Sequence, residues 1–124
     1  MEQNRILVVD DSPTIVEIIK TMLEGAGYEV ITATDGLEAL NTARKEKPDL
    51  IVLDIMLPKM QGYQVCRLLK FDERFQTIPI VMLTAKTEES AKMTGLKTGA
   101  DEYLTKPVKP DELLNVIKEL LKKG

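Results

Sequence analysis

The sequence predicts an α/β fold in which a parallel sheet carries helices on both faces. Short runs rich in Ile, Val and Leu alternate with segments of helical periodicity, and the alternation occurs five times. Several of the runs are apolar on both faces, as expected of central parallel strands that helices cover on each side. The chain has 124 residues, the usual length of one domain, so we expect a single domain over residues 1–124.

Five segments have the length and composition of strands. They are short and bounded by polar residues, glycine or proline, and they comprise Arg5–Val9, Glu29–Ala33, Leu50–Asp54, Ile78–Thr84 and Glu102–Thr105. The first, third and fourth are apolar on both faces, which predicts central positions in the sheet.

Helical periodicity is clear after the first strand and at the end of the chain. The predicted core-facing residues are Ile15, Ile18, Ile19, Met22 and Leu23 in the first helix and Leu113, Leu114, Ile117, Leu120 and Leu121 in the last. Gly25 and Gly27 are expected to end the first helix, and Pro110 to begin the last. Glu88–Thr98 is the weakest predicted helix, because its internal Gly95 costs about 1 kcal/mol relative to alanine. We expect it to be the most mobile element.

Composition argues against several classes of function. The formal net charge of −3 disfavours direct nucleic-acid binding, since phosphate contacts need a basic surface. No apolar run approaches the roughly 20 residues of a membrane span and no signal peptide is evident, so we expect a cytoplasmic protein without membrane contact. With one cysteine and no histidine, the chain forms no internal disulfide and lacks the usual zinc ligands. Cys66 is predicted to be a small buried hydrophobic residue.

Polar side chains occur where the predicted strands end. They are Asp10 and Asp11 after the first strand, Asp54 in the third, Thr84 in the fourth and Lys106 after the fifth. Because the strands of a doubly wound sheet point their carboxyl ends at one edge, we expect these groups to converge there. Asp11 or Ser12 is expected to cap the following helix, but one cap does not explain the whole cluster.

The three carboxylates predict a site for a divalent cation. Carboxylates in close proximity raise the pKa of at least one of them unless a cation lies among them. Mg²⁺ suits such a site, because it prefers oxygen ligands and retains water. With Mg²⁺ and Lys106 present, the edge would accept a phosphoryl group, and Asp54 would be the nucleophile that forms an aspartyl phosphate. On this interpretation the Asp54 carboxylate is exposed at the strand tip rather than buried and neutralised.

The motifs "ILVVDDS", "DLIVLDIMLP", "PIVMLTA" and "ADEYLTKP" resemble the receiver domain of two-component response regulators, of the chemotaxis-regulator type. The resemblance covers essentially the whole chain and implies a flavodoxin-like fold with five helices and strand order 2-1-3-4-5. It also implies that Asp54 accepts a phosphoryl group from the phosphohistidine of a sensor histidine kinase or a histidine phosphotransfer protein. Phosphorylation would then change the binding face presented to a downstream protein target or a fused output domain. Slow autodephosphorylation would be the only other activity.

The resemblance also assigns a role to each residue of the metal site. Asp11 and Asp54 are expected to ligate Mg²⁺ directly, together with the main-chain carbonyl of Met56. Asp10 is expected to hold the metal through water. Gln61 departs from the family pattern, which very often has aspartate before the glycine, and we expect an effect on loop capping and partner contacts rather than on chemistry.

Three further residues have implied roles in phosphorylation and switching. Thr84 would hydrogen-bond one phosphoryl oxygen, Lys106 would pair with another, and Tyr103 would turn inward on activation. Taken alone, Thr84 is more typical of an ordinary strand end and Tyr103 of a half-buried strand aromatic, and only the whole set of residues favours the functional roles. The Lys106-Pro107 bond resembles the family's cis peptide.

The predicted binding face for partners combines the helix Glu88–Thr98, the fifth strand and the last helix. Its predicted exposed contributors are Lys92, Lys97, Lys109 and Glu112. Two other functions fit the sequence less well. A phosphatase of the haloacid-dehalogenase type would need an acid two residues after the nucleophile, where this chain has Met56. A degenerate receiver acting as a scaffold would be expected to lack Asp54, Thr84 or Lys106, and all three are present.

Overall fold

The structure is a computed structural model that describes residues 3–85 and 98–123. Its strands are β1 (Arg5–Val9), β2 (Glu29–Ala33), β3 (Leu50–Asp54), β4 (Ile80–Thr84) and β5 (Glu102–Thr105). Its helices are α1 (Pro13–Gly25), α2 (Gly36–Glu46), α3 (Gly62–Lys70) and α4 (Pro110–Lys123). All but the last residue of the predicted helix Glu88–Thr98 lies outside the described residues, and so does the fifth helix that the resemblance implies.

All neighbouring strands pair in parallel, in the order β2-β1-β3-β4-β5. This is the strand order that the resemblance implies, and four of the five strands have the predicted bounds. The fourth begins at Ile80 rather than Ile78, because the Ile78 N–H donates to Phe75 O in the preceding turn and Pro79 has no N–H to donate. The Pro79 carbonyl still accepts from Ile51 N, at 3.0 Å.

The sheet separates two hydrophobic layers. One layer packs alternate residues of the central strands against α2 and α3, and it contains Leu7, Val9, Ala39, Leu40, Ile51, Leu53, Val65, Leu69 and Met82. The other packs the intervening residues against α1 and α4, and it contains Ile6, Val8, Ile19, Leu23, Val52, Val81, Leu113 and Ile117. Helices on both faces confirm the doubly wound arrangement and explain why the central strands are apolar throughout.

Ile18 was expected to face the core, and that prediction is wrong. Its side chain is 60% exposed, whereas Val16, Ile19 and Leu23 are the buried residues of α1. Successive residues lie about 100° apart around an α-helix, so Ile18 falls well to one side of Ile19. The buried stripe is narrower than the apolar stretch of the sequence.

The predicted helix ends are confirmed. Ser12 caps α1, since its Oγ accepts from Ile15 N at 3.3 Å, and Gly25 is the last residue of that helix. Gly27 has a φ of +96°, a left-handed conformation that favours glycine. The last helix begins at Pro110.

Cys66 is buried in the layer with α2 and α3, as predicted. Burial raises the pKa of its thiol to about 11, so little of the nucleophilic thiolate is present near neutral pH. Its Sγ donates to Thr98 O at 3.4 Å. In the described part of the chain, no helix has the length and apolar character needed to cross a lipid bilayer.

Candidate functional site

The carboxyl ends of the central strands bring the predicted acidic cluster together. Asp10, Asp11 and Asp54 each offer a carboxylate oxygen, and these oxygens lie within 4.8 Å of one another. The Nζ of Lys106, just after β5, lies 2.7 Å from Asp10 Oδ2 and 3.0 Å from Asp54 Oδ2. The predicted convergence of these four residues at one edge of the sheet is therefore confirmed.

Asp10 and Asp11 are adjacent in sequence but lie in different environments. Asp10 is only 1% exposed, and its two oxygens accept from Ser12 N at 3.0 Å and from Lys106 Nζ. Asp11 is exposed, and no side chain or main-chain group among residues 3–85 and 98–123 bonds to its carboxylate. Asp11 therefore has its oxygens available for a ligand, whereas both Asp10 oxygens are already bonded.

Asp54 is nearly buried, which corrects the expectation that its charge is exposed. The residue is 6% exposed, its Oδ1 accepts from Met56 N at 3.2 Å, and its Oδ2 pairs with Lys106. Burial raises the pKa of the Asp54 carboxyl, and the Lys106 ammonium acts in the opposite direction. The Lys106 ammonium, which Asp54 shares with Asp10, offsets part of the cost of burying the Asp54 carboxylate.

Lys106 is held in its charged form by the same pair of contacts. Burial alone would lower the pKa of its ammonium, but hydrogen bonds from Nζ to Asp10 and Asp54 outweigh that effect and raise the pKa. The Lys106-Pro107 peptide bond is cis, as the resemblance implies.

The composition of the cluster suits a divalent cation with oxygen ligands. Three carboxylates and one ammonium leave two negative charges without a counter-charge among the described residues. All the donor atoms are hard oxygens, as Mg²⁺ prefers. The N–H of Met56 donates to Asp54, while the proposed role of its carbonyl as a metal ligand stays a prediction.

Thr84 and Tyr103 bond to other protein groups and not to each other. Thr84 is buried, and its Oγ1 donates to Leu104 O at 3.4 Å. Tyr103 is half-buried, and its hydroxyl forms a hydrogen bond with Thr98 Oγ1. Thr84 lies beside the cluster at the end of β4, as predicted, and the tyrosine hydroxyl is directed to a different partner.

Two glycines hold the loop that follows Asp54, and sequence reasoning missed their contacts. A Cβ on Gly62 would lie 1.9 Å from Asp54 O, and a Cβ on Gly36 would lie 1.7 Å from Met60 O. Only glycine permits such close approaches of one backbone to another. The available signal was a glycine at the first residue of a helix, where it is otherwise a poor helix former.

Gln61 closes the same loop through its side chain. Its Oε1 accepts from Leu57 N at 3.1 Å, and its own N–H donates to Gln64 Oε1 at 3.1 Å. These contacts stabilise the loop and the first turn of α3 and do not involve the carboxylate cluster. They agree with the expectation that Gln61 affects loop capping rather than chemistry.

Gly62→Ala is expected to lower the free energy of unfolding by about 2 kcal/mol, because the new methyl group overlaps the Asp54 carbonyl and must displace the loop. Gly25→Ala is the matched control, since no atom lies within 4 Å of its added Cβ and alanine favours the helix. Urea denaturation measures both variants. Equal stability of the two variants would contradict the close approach at Gly62.

Asp54→Asn is expected to raise the free energy of unfolding at pH 7, by on the order of 1 kcal/mol, when measured in EDTA. The native pKa of Asp54 is raised above its ordinary value of 3.8, so the native state binds the proton more tightly than the unfolded state. The free energy of unfolding of the wild type therefore falls as pH rises from the unfolded pKa of Asp54 through its higher native pKa. The neutral amide of asparagine has no proton to lose and avoids this loss of stability. The asparagine also leaves Lys106 paired with Asp10.

The advantage of Asp54→Asn should shrink as pH falls through the raised native pKa, and it should disappear well below the ordinary aspartate pKa of about 3.9, where the wild-type carboxyl is protonated in both states. Asp72→Asn is a control for which the free energy of unfolding at pH 7 should fall instead of rise. Hydrogen bonds from Arg74 lower the pKa of Asp72 to about 2, so its ionised carboxylate stabilises the native state. Unfolding curves across the acid range measure both variants. An Asp54→Asn variant that is less stable at pH 7 would contradict the assignment of a raised pKa.

Comparison with known proteins agrees with this geometry. A family model described as the response regulator receiver domain matches residues 6–118. The alkaline phosphatase synthesis transcriptional regulatory protein PhoP of Bacillus subtilis is 52% identical over 120 residues, which make up 97% of this chain and 49% of that protein. The chain spans about half the length of the curated relatives it matches.

Solved structures of high similarity cover nearly the whole chain. The signal receiver domain of a signal transduction histidine kinase from Syntrophus aciditrophicus has a TM-score of 0.90 and 38% identity, covering 97% of this chain and 91% of that one. The receiver domain of the sensor histidine kinase PA1611 from Pseudomonas aeruginosa has a TM-score of 0.89 and 31% identity, covering 98% and 99%. That structure has a magnesium ion coordinated in its active site cleft.

Proposed function

Since the chain belongs to the response regulator receiver domain family, we propose that Asp54 is its phosphoryl acceptor and that Mg²⁺ is its cofactor. Response regulators are signalling proteins that histidine kinases phosphorylate. The observation that carries the residue assignment is the contact of Lys106 with both Asp10 and Asp54, beside an exposed and unbonded Asp11. No other set of three acidic, cysteine or histidine residues among those described lies close enough to hold a metal.

The proposed reaction is phosphoryl transfer from a phosphohistidine to the Asp54 carboxylate. A carboxylate oxygen of Asp54 forms the new bond to phosphorus, the bond from phosphorus to the imidazole nitrogen breaks, and the nitrogen keeps the electron pair. Burial leaves the ionised Asp54 carboxylate poorly solvated, which raises its free energy and favours its reaction with a phosphoryl group. The Lys106 ammonium would pair with an oxygen of the arriving group.

The metal site is proposed from the same residues. Asp11 and Asp54 would hold Mg²⁺ directly with the Met56 carbonyl, and Asp10 would contribute through water. When bound, Mg²⁺ supplies positive charge that stabilises the charge on the transferring phosphoryl oxygens. Asp11 is exposed and its carboxylate has no bonding partner among the described residues, which supports a direct contact of that residue with the metal, whereas Asp10 is only 1% exposed.

Thr84 is proposed to hydrogen-bond a phosphoryl oxygen, and Tyr103 to change orientation when it does. Thr84 is bonded to the Leu104 carbonyl by a 3.4 Å contact, which is long for a hydroxyl donor and easily exchanged. Because β4 and β5 are neighbouring strands, a shift at Thr84 is transmitted directly to the strand that holds Tyr103.

We propose that phosphorylation changes the face formed by β5 and α4, and that a downstream protein or an attached output domain binds there. Lys109 and Glu112 are exposed, which supports their proposed contribution, while Lys92 and Lys97 lie outside the described residues. The absence of enzymatic activity beyond phosphoryl acceptance and slow autodephosphorylation is part of this proposal. The expected lack of direct nucleic-acid binding and the cytoplasmic location stay predictions.

Incubation with Mg²⁺ and acetyl phosphate tests the proposed acceptor. Intact-mass measurement should show the addition of one phosphoryl group, and peptide mapping should place it on Asp54. Omitting Mg²⁺ or adding EDTA should suppress the addition. A phosphoryl group mapped to any other residue would contradict the assignment.

A further inference from the structure

Thr98 holds the hydroxyl of Tyr103. Thr98 Oγ1 and Tyr103 OH are 2.5 Å apart, and Thr98 is only 1% exposed. The Tyr103 ring packs against the hydrophobic layer on the α2 and α3 face of the sheet. The hydrogen bond at its tip therefore fixes the orientation of a ring that is otherwise only half-buried.

Thr98 is itself anchored to the body of the domain. Its Oγ1 accepts from Ala100 N at 3.2 Å, and its carbonyl accepts from the buried Cys66 Sγ of α3. Close by in sequence, Asp101 pairs with Lys70 Nζ at 2.7 Å, and the Lys70 side chain is 8% exposed. Because these contacts tie the segment before β5 to α3, Thr98 is not free to follow a moving tyrosine.

The pairing of β4 with β5 shows what a change of Tyr103 orientation requires. Tyr103 is opposite Met82, and Thr105 is opposite Thr84, so Tyr103 and Thr84 lie on the same face of the sheet one step apart. Movement of the ring toward Thr84 takes its hydroxyl away from Thr98. The bond to Thr98 therefore has to break before the ring can reach that position.

We propose that Thr98 is a positioning residue for switching: its hydroxyl holds Tyr103 in the orientation of the unphosphorylated protein. This inference rests on the proposed function of Asp54 and Tyr103. The bond to Thr98 exists in only one of the two orientations, so it shifts the population toward that orientation. A phosphoryl group on Asp54 then has to supply additional free energy to populate the other.

Titration of the full chain with beryllofluoride in the presence of Mg²⁺ tests the inference, because beryllofluoride mimics a phosphoryl group on an aspartate. Thr98→Val removes the hydroxyl and keeps the side-chain shape. It should bind beryllofluoride about two- to tenfold more tightly than the wild type, the range that one net hydrogen bond produces. Thr98→Ser retains the hydroxyl and should bind with wild-type affinity. Backbone amide shifts give the dissociation constants.

A double-mutant cycle with Tyr103→Phe separates this role from a general effect on folding. Tyr103→Phe removes the same bond from the other side, so adding Thr98→Val to it should change the affinity no further. Unchanged or weaker binding by Thr98→Val alone would overturn the inference, and so would an equal gain in the Tyr103→Phe background. Failure of the wild type to bind beryllofluoride would overturn the proposed function as well, whereas wild-type binding without any effect of Thr98 overturns only this inference.

Discussion

Asp54→Asn is expected to take up no phosphoryl group from acetyl phosphate under conditions in which the wild-type chain gains one. The amide is not ionised and is a much weaker nucleophile than the carboxylate, so it forms no stable acyl phosphate. The substitution changes the size of the side chain very little and leaves Lys106 paired with Asp10. The expected loss is therefore chemical and does not follow from unfolding.

Two measurements make this result specific. Asp72→Asn replaces a carboxylate in the turn after α3, where its partner is Arg74, and it should label as the wild type does. Thermal unfolding of Asp54→Asn should show a folded protein at least as stable as the wild type. Full labelling of a folded Asp54→Asn variant would show that the acceptor is another residue.

The Mg²⁺ site should depend more strongly on Asp11 than on Asp10. Asp11 has no bonding partner among the described residues and is proposed as a direct ligand, whereas both Asp10 oxygens are occupied by Ser12 N and Lys106. Replacing an outer partner typically weakens metal binding by about 10- to 100-fold. We expect Asp10→Asn to fall in this range and Asp11→Asn to exceed it.

Calorimetric titration with Mg²⁺ measures this difference directly. Calorimetry is suited to the comparison because the chain has no tryptophan to report binding by fluorescence. Asp49→Asn is a suitable control, since that carboxylate accepts from Arg5 N and lies before β3, at the opposite edge of the sheet. Equal Mg²⁺ affinity in wild type, Asp10→Asn and Asp11→Asn would rule out this site.

Much of the fold follows from local patterns in the sequence. The central strands are continuous apolar runs because both faces are covered, and this property is visible in the sequence alone. The meeting of Asp10, Asp54 and Lys106 can also be predicted. Each of them ends or directly follows a parallel strand, and the carboxyl ends of parallel strands lie at the same edge of the sheet. Burial along a helix is harder to predict, as Ile18 shows: the apolar stretch of α1 is wider than the surface that the sheet leaves for it to cover.

Whether the Asp54 carboxylate is exposed or buried could not be predicted from the residues around it in the sequence. A carboxylate after an apolar run is compatible with exposure or with neutralisation, and only the position of the Lys106 ammonium decides between them. Lys106 is 52 residues away, and its contact depends on the strand order. The sequence did not predict the hydrogen bond between Thr98 and Tyr103, because a threonine five residues before a tyrosine does not by itself indicate a contact between the two side chains.

The backbone contacts at Gly36 and Gly62 affect how mutational screens of this domain should be interpreted. Gly36 contributes no side chain to the carboxylate cluster, yet a methyl group there would overlap the main chain of Met60 in the loop after the proposed acceptor. In a screen scored only by signalling output, substitutions at Gly36 would lower the score although the residue takes no part in the proposed chemistry. Measurement of protein abundance beside output would separate the two positions, because the glycine variants lose folded protein whereas Asp54→Asn accumulates normally.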